Sequence, residues 1–178
     1  MQPWFIATER FDSSYGEKWT KYVEWSGLSQ LEEVVSLDTM LCPTILPETK
    51  DEYWDHIVNA DFLLKYFTDL DFLREQLSRA RGFNLLQVFH NPPKPPDQRN
   101  LGAFQLLGYD LVELETSTSA ISNCGGFPLA FDNRELNSQG LVASFDRAVE
   151  IQASLKEHYP TEHHADCDVW AICRAIAL

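Results

Sequence analysis

The sequence predicts an α+β fold: a single domain over residues 1–178, with a mixed or antiparallel sheet of about five strands and three to four helices packed on it. Three observations lead there. The chain of 178 residues is 44% hydrophobic and 23% charged, the balance of a globular domain with a core. Strand-like and helix-like segments alternate along most of its length, which calls for helices packed on a sheet. Two strand-like segments, 83–89 and 103–115, follow one another with no helix between them, which argues against a purely parallel, doubly wound sheet.

The elements follow in chain order. Residues 3–9 are rich in aromatic and β-branched side chains and read as a first strand. Ser14-Tyr15-Gly16-Glu17 spaces a hydroxyl and a carboxylate as a capping box does. A helix should follow with Trp19, Tyr22, Val23 and Ser26 on one face and Gly27 as its stop. Residues 31–37, with Val34-Val35, form a second strand, and Pro43 and Pro47 mark a loop. From Thr49 the apolar spacing turns helical through Trp54, Ile57, Val58 and Phe62 to Phe67. Thr68-Asp69-Leu70-Asp71 opens a further helix along Leu70, Leu73 and Leu77. Arg79 and Arg81 suit its carbonyl end and Gly82 a left-handed cap.

Residues 83–89 read as a buried strand. The Pro-rich loop near 91–99 ends it, because proline lacks the ladder donor, and acts as a stiff connector between two strands. The next strand, 103–115, should bend at Gly108; residues 116–140 are loop. Ser144 caps a last helix that places Phe145, Ala148, Val149, Gln152, Leu155 and Tyr159 along one side. In the tail, Val169, Ala171 and Cys173 alternate with Trp170, Ile172 and Arg174. Both sets are largely apolar, as in a strand covered on both faces.

Charge narrows the function. Twenty-seven acids against 14 bases leave a net −13, which repels nucleic acid. No run approaches the ~18 apolar residues of a spanning helix, and the amino-terminal segment has no secretory pattern. A cytoplasmic protein with no membrane partner is the expectation. Cys42, Cys124, Cys167 and Cys173 form no Cys-x-x-Cys pair and read as reduced thiols. No Gly-rich phosphate loop occurs and no cofactor is expected. Nothing in the pattern sets an oligomeric state.

Three constellations can carry chemistry. In Ser122-Asn123-Cys124-Gly125-Gly126, a sharp turn can free backbone amides to lower the Cys124 thiol pKa and to bind an oxyanion. With His163, His164 or His90 as base and Asp166 as an orienting group, this would be a cysteine-dependent hydrolase or transferase. The segment 158–168 holds His158, Glu162, His163, His164, Asp166, Cys167 and Asp168, which are all ligand types for a metal-binding domain. Its spacing matches no zinc motif, and adjacent histidines on an extended segment point opposite ways, so no metal is expected.

The third constellation is distributed. Between Tyr22 and Asp71, eleven carboxylates face only Lys50 and Lys65, a balance of −9. Trp25, Tyr53, Trp54 and Tyr66 lie among them, with Asp51, Glu52 and Asp55 the densest acids. Charge steers encounter and exposed rings anchor a complex. The leading expectation is therefore a soluble, acidic, intracellular protein-interaction domain. An inhibitor or immunity-type protein that masks a basic partner fits that description.

Overall fold

A computed structural model describes residues 2–58, 62–123 and 126–176. Its centre is a five-stranded antiparallel sheet in the order β1-β4-β7-β5-β6: β1 (Trp4–Glu9), β4 (Phe83–His90), β7 (Cys167–Ala175), β5 (Phe104–Glu113) and β6 (Thr118–Ser119). A second, two-stranded ribbon joins β2 (Phe11–Asp12) to β3 (Glu33–Val34). Three α-helices complete the described residues: α1 (Glu17–Ser26), α2 (Leu70–Gln76) and α3 (Phe145–His158). The α+β expectation holds, with the sheet antiparallel throughout.

Strand alternation divides the core. Phe5, Leu85, Phe89, Leu111, Val169 and Ala171 face the helical layer, where Leu73 of α2, Leu77 at its C-cap, and Ala148, Ile151 and Leu155 of α3 cover them. Ile6, Leu86, Val88, Val112, Trp170 and Ile172 face the other way. Among the described residues that second face is roofed by Val35, Leu37, Leu64, Tyr66 and Leu141, none of them from a helix. A smaller cluster of Phe11, Tyr22, Val34 and Cys42 seats α1 on the ribbon.

The helix ends obey local chemistry. Gly27 is left-handed at φ 69° and its N–H donates to the Val23 carbonyl, closing α1. Asp69 caps α2 by accepting from the Asp71 and Phe72 amides, so Asp69 and not Thr68 supplies the cap. Ser144 caps α3 as expected. Ser14 caps nothing: residues 13–15 form a 3-10 turn and Gly16 stands before α1.

The helix expected from Thr49 to Phe67 does not form among the described residues of that stretch. Residues 51–53 make one 3-10 turn, and Phe67 instead joins the sheet edge. Its N–H donates to the Phe5 carbonyl at 2.7 Å, and the Phe5 N–H returns the bond at 2.8 Å. The reason lies in the destinations of the side chains. Tyr53 and Phe67 belong to the helix-side core, whereas Leu64 and Tyr66 roof the opposite face. One helix with a single apolar stripe cannot serve two faces of a sheet.

The expected second strand, 31–37, pairs only at Glu33–Val34. Val35 and Leu37 lie over the second face as covering chain, and Leu31 packs against the helix-side and ribbon clusters.

Gly108 carries the bend in β5. The register with β7 shifts between Leu106 and Gly108, and φ there is 154°. A methyl group at this position would sit 2.7 Å from the Val142 carbonyl oxygen and 2.9 Å from Leu141 Cβ. Both neighbours belong to packed chain, so Gly108→Ala should destabilise the protein by about 2–3 kcal/mol. Urea unfolding of the variant measures this; a loss below about 0.5 kcal/mol would mean that the 141–142 segment yields freely.

Candidate functional site

The acidic constellation separates into exposed and buried parts. Asp51, Glu52 and Asp55 are all exposed, and Trp54 keeps 66% of its surface in solvent. Trp25, at the end of α1, is 54% exposed beside Tyr22. Tyr53 and Tyr66, expected among the anchors, are instead core residues at 1% and 3% exposure. Tyr53 meets Phe67 and Phe72 edge-on at 5.4 and 5.8 Å, and its hydroxyl donates to Gln76 Oε1. Tyr66 stacks on Trp170 at 5.1 Å.

This pairing of neighbours shapes the loop. The 3-10 turn at 51–53 points Tyr53 into the core, which fixes the backbone and leaves Trp54 outside. His56 stacks flat on Phe72 at 3.8 Å and closes the far side of the turn. Lys50 is the local cation, with Nζ 3.8 Å from Glu52 and 5.6 Å from the Tyr53 ring centroid. The carboxylates of Glu48, Asp51, Glu52 and Asp55 outnumber it.

Two acids counted in the same stretch do other work. Asp38 is fully buried and accepts from the Met40 and Leu41 amides with one oxygen, and from the Ser119 amide and Asn123 Nδ2 with the other. Glu33 is paired with Arg174.

The cysteine and histidine constellation fares differently. Cys124 lies outside the described residues. Cys42, Cys167 and Cys173 are free and buried, and burial pushes the Cys167 and Cys173 thiols up to about 12, which keeps them protonated and inert. His163 and His164 do not point opposite ways. They sit on a 3-10 turn at 163–165 and their rings stack at 5.5 Å, because helical curvature replaces the assumed extended chain. His163 Nε2 lies 3.7 Å from Glu115 Oε2, and His164 Nδ1 is buried without a hydrogen-bond partner among the described residues.

Glu113, Glu115 and His163 bring ligand atoms within 4.8 Å of one another. The buried member is already engaged: Glu113 accepts from the Glu115 and Thr116 amides and from the Thr116 hydroxyl. Those bonds tie the turn after β5.

A further pair was not singled out by spacing. His90 Nε2 and Asp168 Oδ2 stand 2.6 Å apart on adjacent strands, 78 residues apart in the chain. The His90 ring beside Asp168 holds that carboxyl below its usual range, against the effect of burial. His90 is walled by Trp4, Phe62 and Trp170. Next to it, Asn91 takes φ 42° and continues the β4–β7 ladder, its amide donating to the Val169 carbonyl and its Oδ1 accepting from the Val169 amide. Asparagine tolerates that left-handed backbone, so the geometry has a structural cause. No helix among the described residues is long and apolar enough to cross a membrane. In comparison with known proteins, the chain matches no protein-family model, no curated protein and no solved structure.

Proposed function

We propose that this chain is a protein-binding domain whose acidic 48–55 loop docks a basic protein and masks it, in the manner of an inhibitor or immunity-type protein. The observation that carries the reading is Trp54: an indole 66% exposed, flanked by the exposed carboxylates of Asp51, Glu52 and Asp55, on a turn anchored by buried Tyr53. Carboxylates there draw a basic surface in, and a ring held outward on a fixed turn loses little freedom when covered. The chain's net −13 favours a basic protein over nucleic acid for this face. The free thiols of Cys42, Cys167 and Cys173 suit a reducing, cytoplasmic compartment.

The test uses a partner retained from cell extract at low salt, identified, purified singly and followed by surface plasmon resonance. Joint reversal of Asp51, Glu52 and Asp55 to lysine should slow association about tenfold or more at low salt. Trp54→Ala should raise the dissociation rate by about 10–30-fold. An association rate unchanged by the triple reversal, in a variant with wild-type circular dichroism, overturns the proposal.

A further inference from the structure

The eight arginines of this protein divide into four in close ion pairs and four without one. Arg99, Arg134, Arg147 and Arg174 each hold a carboxylate in a close ion pair. Pairing is what an acidic chain should impose, since 27 carboxylates compete for 14 cations. Arg10, Arg74, Arg79 and Arg81 hold no carboxylate so closely among the described residues, and three of them, Arg10, Arg74 and Arg81, line the same cavity of about 760 Å³.

The cavity is built from three stretches of chain. Arg10 comes from the junction of β1 and β2, Arg74 from α2, and Arg81 from the turn where Gly82, at φ 70°, redirects the chain into β4. Arg81 Nη1 donates to the Ala80 carbonyl at 2.7 Å and the Ser78 carbonyl at 3.5 Å. Those bonds position the guanidinium and leave its other donors available. Arg74 reaches Asp71 only loosely, at 3.6 Å.

Nearby carboxylates bond other donors, while Asp12 also stays within the field of Arg10. Glu9 accepts from the Tyr15 hydroxyl at 2.8 Å, and Asp12 accepts from the Ser14 amide at 2.8 Å. Leu77, Phe83 and Leu85 add an apolar lining. Concavity of this size with a few convergent polar groups on an apolar wall is the form of a small-molecule site. Guanidinium donors select planar or tetrahedral oxyanions.

We infer that the groove between α2 and the start of β4 binds a small organic anion, with a phosphate or carboxylate head on Arg10, Arg74 and Arg81 and an apolar body on Leu77, Phe83 and Leu85. The site is independent of the acidic loop and its proposed partner.

Phenyl phosphate, benzoate and inorganic phosphate serve as probes, titrated into the full chain by calorimetry at low chloride. Phenyl phosphate or benzoate should saturate, and phenyl phosphate should bind about tenfold tighter than inorganic phosphate because its ring adds apolar burial. A preference for phenyl phosphate assigns a phosphate head and a preference for benzoate a carboxylate head; either supports the site. Arg10→Gln and Arg74→Gln, both at exposed positions, should each weaken binding about tenfold. Arg99→Gln makes the same change in net charge at a paired arginine outside the groove lining and should leave affinity within about twofold. Amide shifts at Ser78, Gly82 and Phe83 on titration locate the ligand without any variant. No saturable binding by about 10 mM probe, equal weakening by Arg99→Gln, or shifts elsewhere than the groove would each overturn the assignment.

Discussion

Asp110→Ala should destabilise the protein by about 3–5 kcal/mol, read as a fall in unfolding free energy in urea. Asp110 lies on β5, fully buried beneath the chain that roofs the second face of the sheet. One carboxylate oxygen accepts from the Ser36 hydroxyl at 2.6 Å and the Leu37 amide at 3.1 Å. The other accepts from the Ser119 hydroxyl at 2.7 Å and the Leu111 amide at 2.9 Å. Two segments distant in sequence, 36–37 and 119, are thereby pinned to one strand. Alanine leaves several donors buried without that acceptor, which is worse than never having buried them.

The loss should also depend on pH. Burial pushes the Asp110 carboxyl above its usual range, with nearby Asp38 adding to the rise and hydrogen bonds from Ser119, Ser36 and Leu37 opposing it. The folded protein therefore holds this proton to higher pH than the unfolded chain does. The stability so contributed is complete below the unfolded value of about 3.9 and is lost as pH rises through the folded value. The deficit of Asp110→Ala should accordingly be larger near pH 4 than near pH 8. A deficit that grows with pH would show a depressed carboxyl, and one below about 1 kcal/mol throughout would show that the roof does not depend on this residue.

Trp170→Ala should remove about 3–5 kcal/mol by a different route, the opening of a cavity. Trp170 is fully buried in the central strand β7. Its ring meets His90 at 4.5 Å, Tyr66 at 5.1 Å, Phe62 at 5.8 Å and Trp4 at 5.9 Å. Those residues come from β4, the 62–66 covering chain and β1, so one side chain links three segments. Its indole Nε1 has no hydrogen-bond partner among the described residues, and the loss should be one of packing alone. Trp170→Phe, which keeps an aromatic face for Tyr66, should therefore lose less than half as much. Equal losses in the two variants would point to an indole N–H interaction instead.

Local patterns in the sequence determined the local structure. The alternation in 167–175 announced a strand covered on both sides, and Trp170 and Cys173 do lie in opposite cores. Gly27, Gly108 and Ser144 marked a helix stop, a bend and a cap at their positions, whereas Gly82, expected to cap the helix from Leu70, is left-handed beyond the Gln76 end of α2 because Leu77 takes the C-cap position. Each of those marks depends on a few neighbouring residues, which a spacing can reveal. The exposed acids at 51, 52 and 55 belong in the same class, because charged side chains on a loop stay in water.

Only the tertiary structure decided what long-range pairing controls. β7, the last strand in the chain, lies between β4 and β5, so the Pro-rich connector spans a strand rather than making a hairpin. The apolar spacing of 54–67 looked helical, yet these side chains are divided between two faces once Phe67 bonds to Phe5. Tyr53 and Trp54 are adjacent and chemically similar, and only the anchoring of the turn on Phe67 and Phe72 sends one inward and the other out. The arginine groove was hidden for the same reason. Arg79 and Arg81 suited a helix end as read from sequence, but α2 stops at Gln76, and it is Arg74 within the helix and Arg81 beyond it that reach the groove. Arg10 joins them across more than sixty residues, because the sheet edge packs beside α2. Chain entropy opposes every such contact until the sheet that rewards it has formed, so no local window of sequence carries its signature.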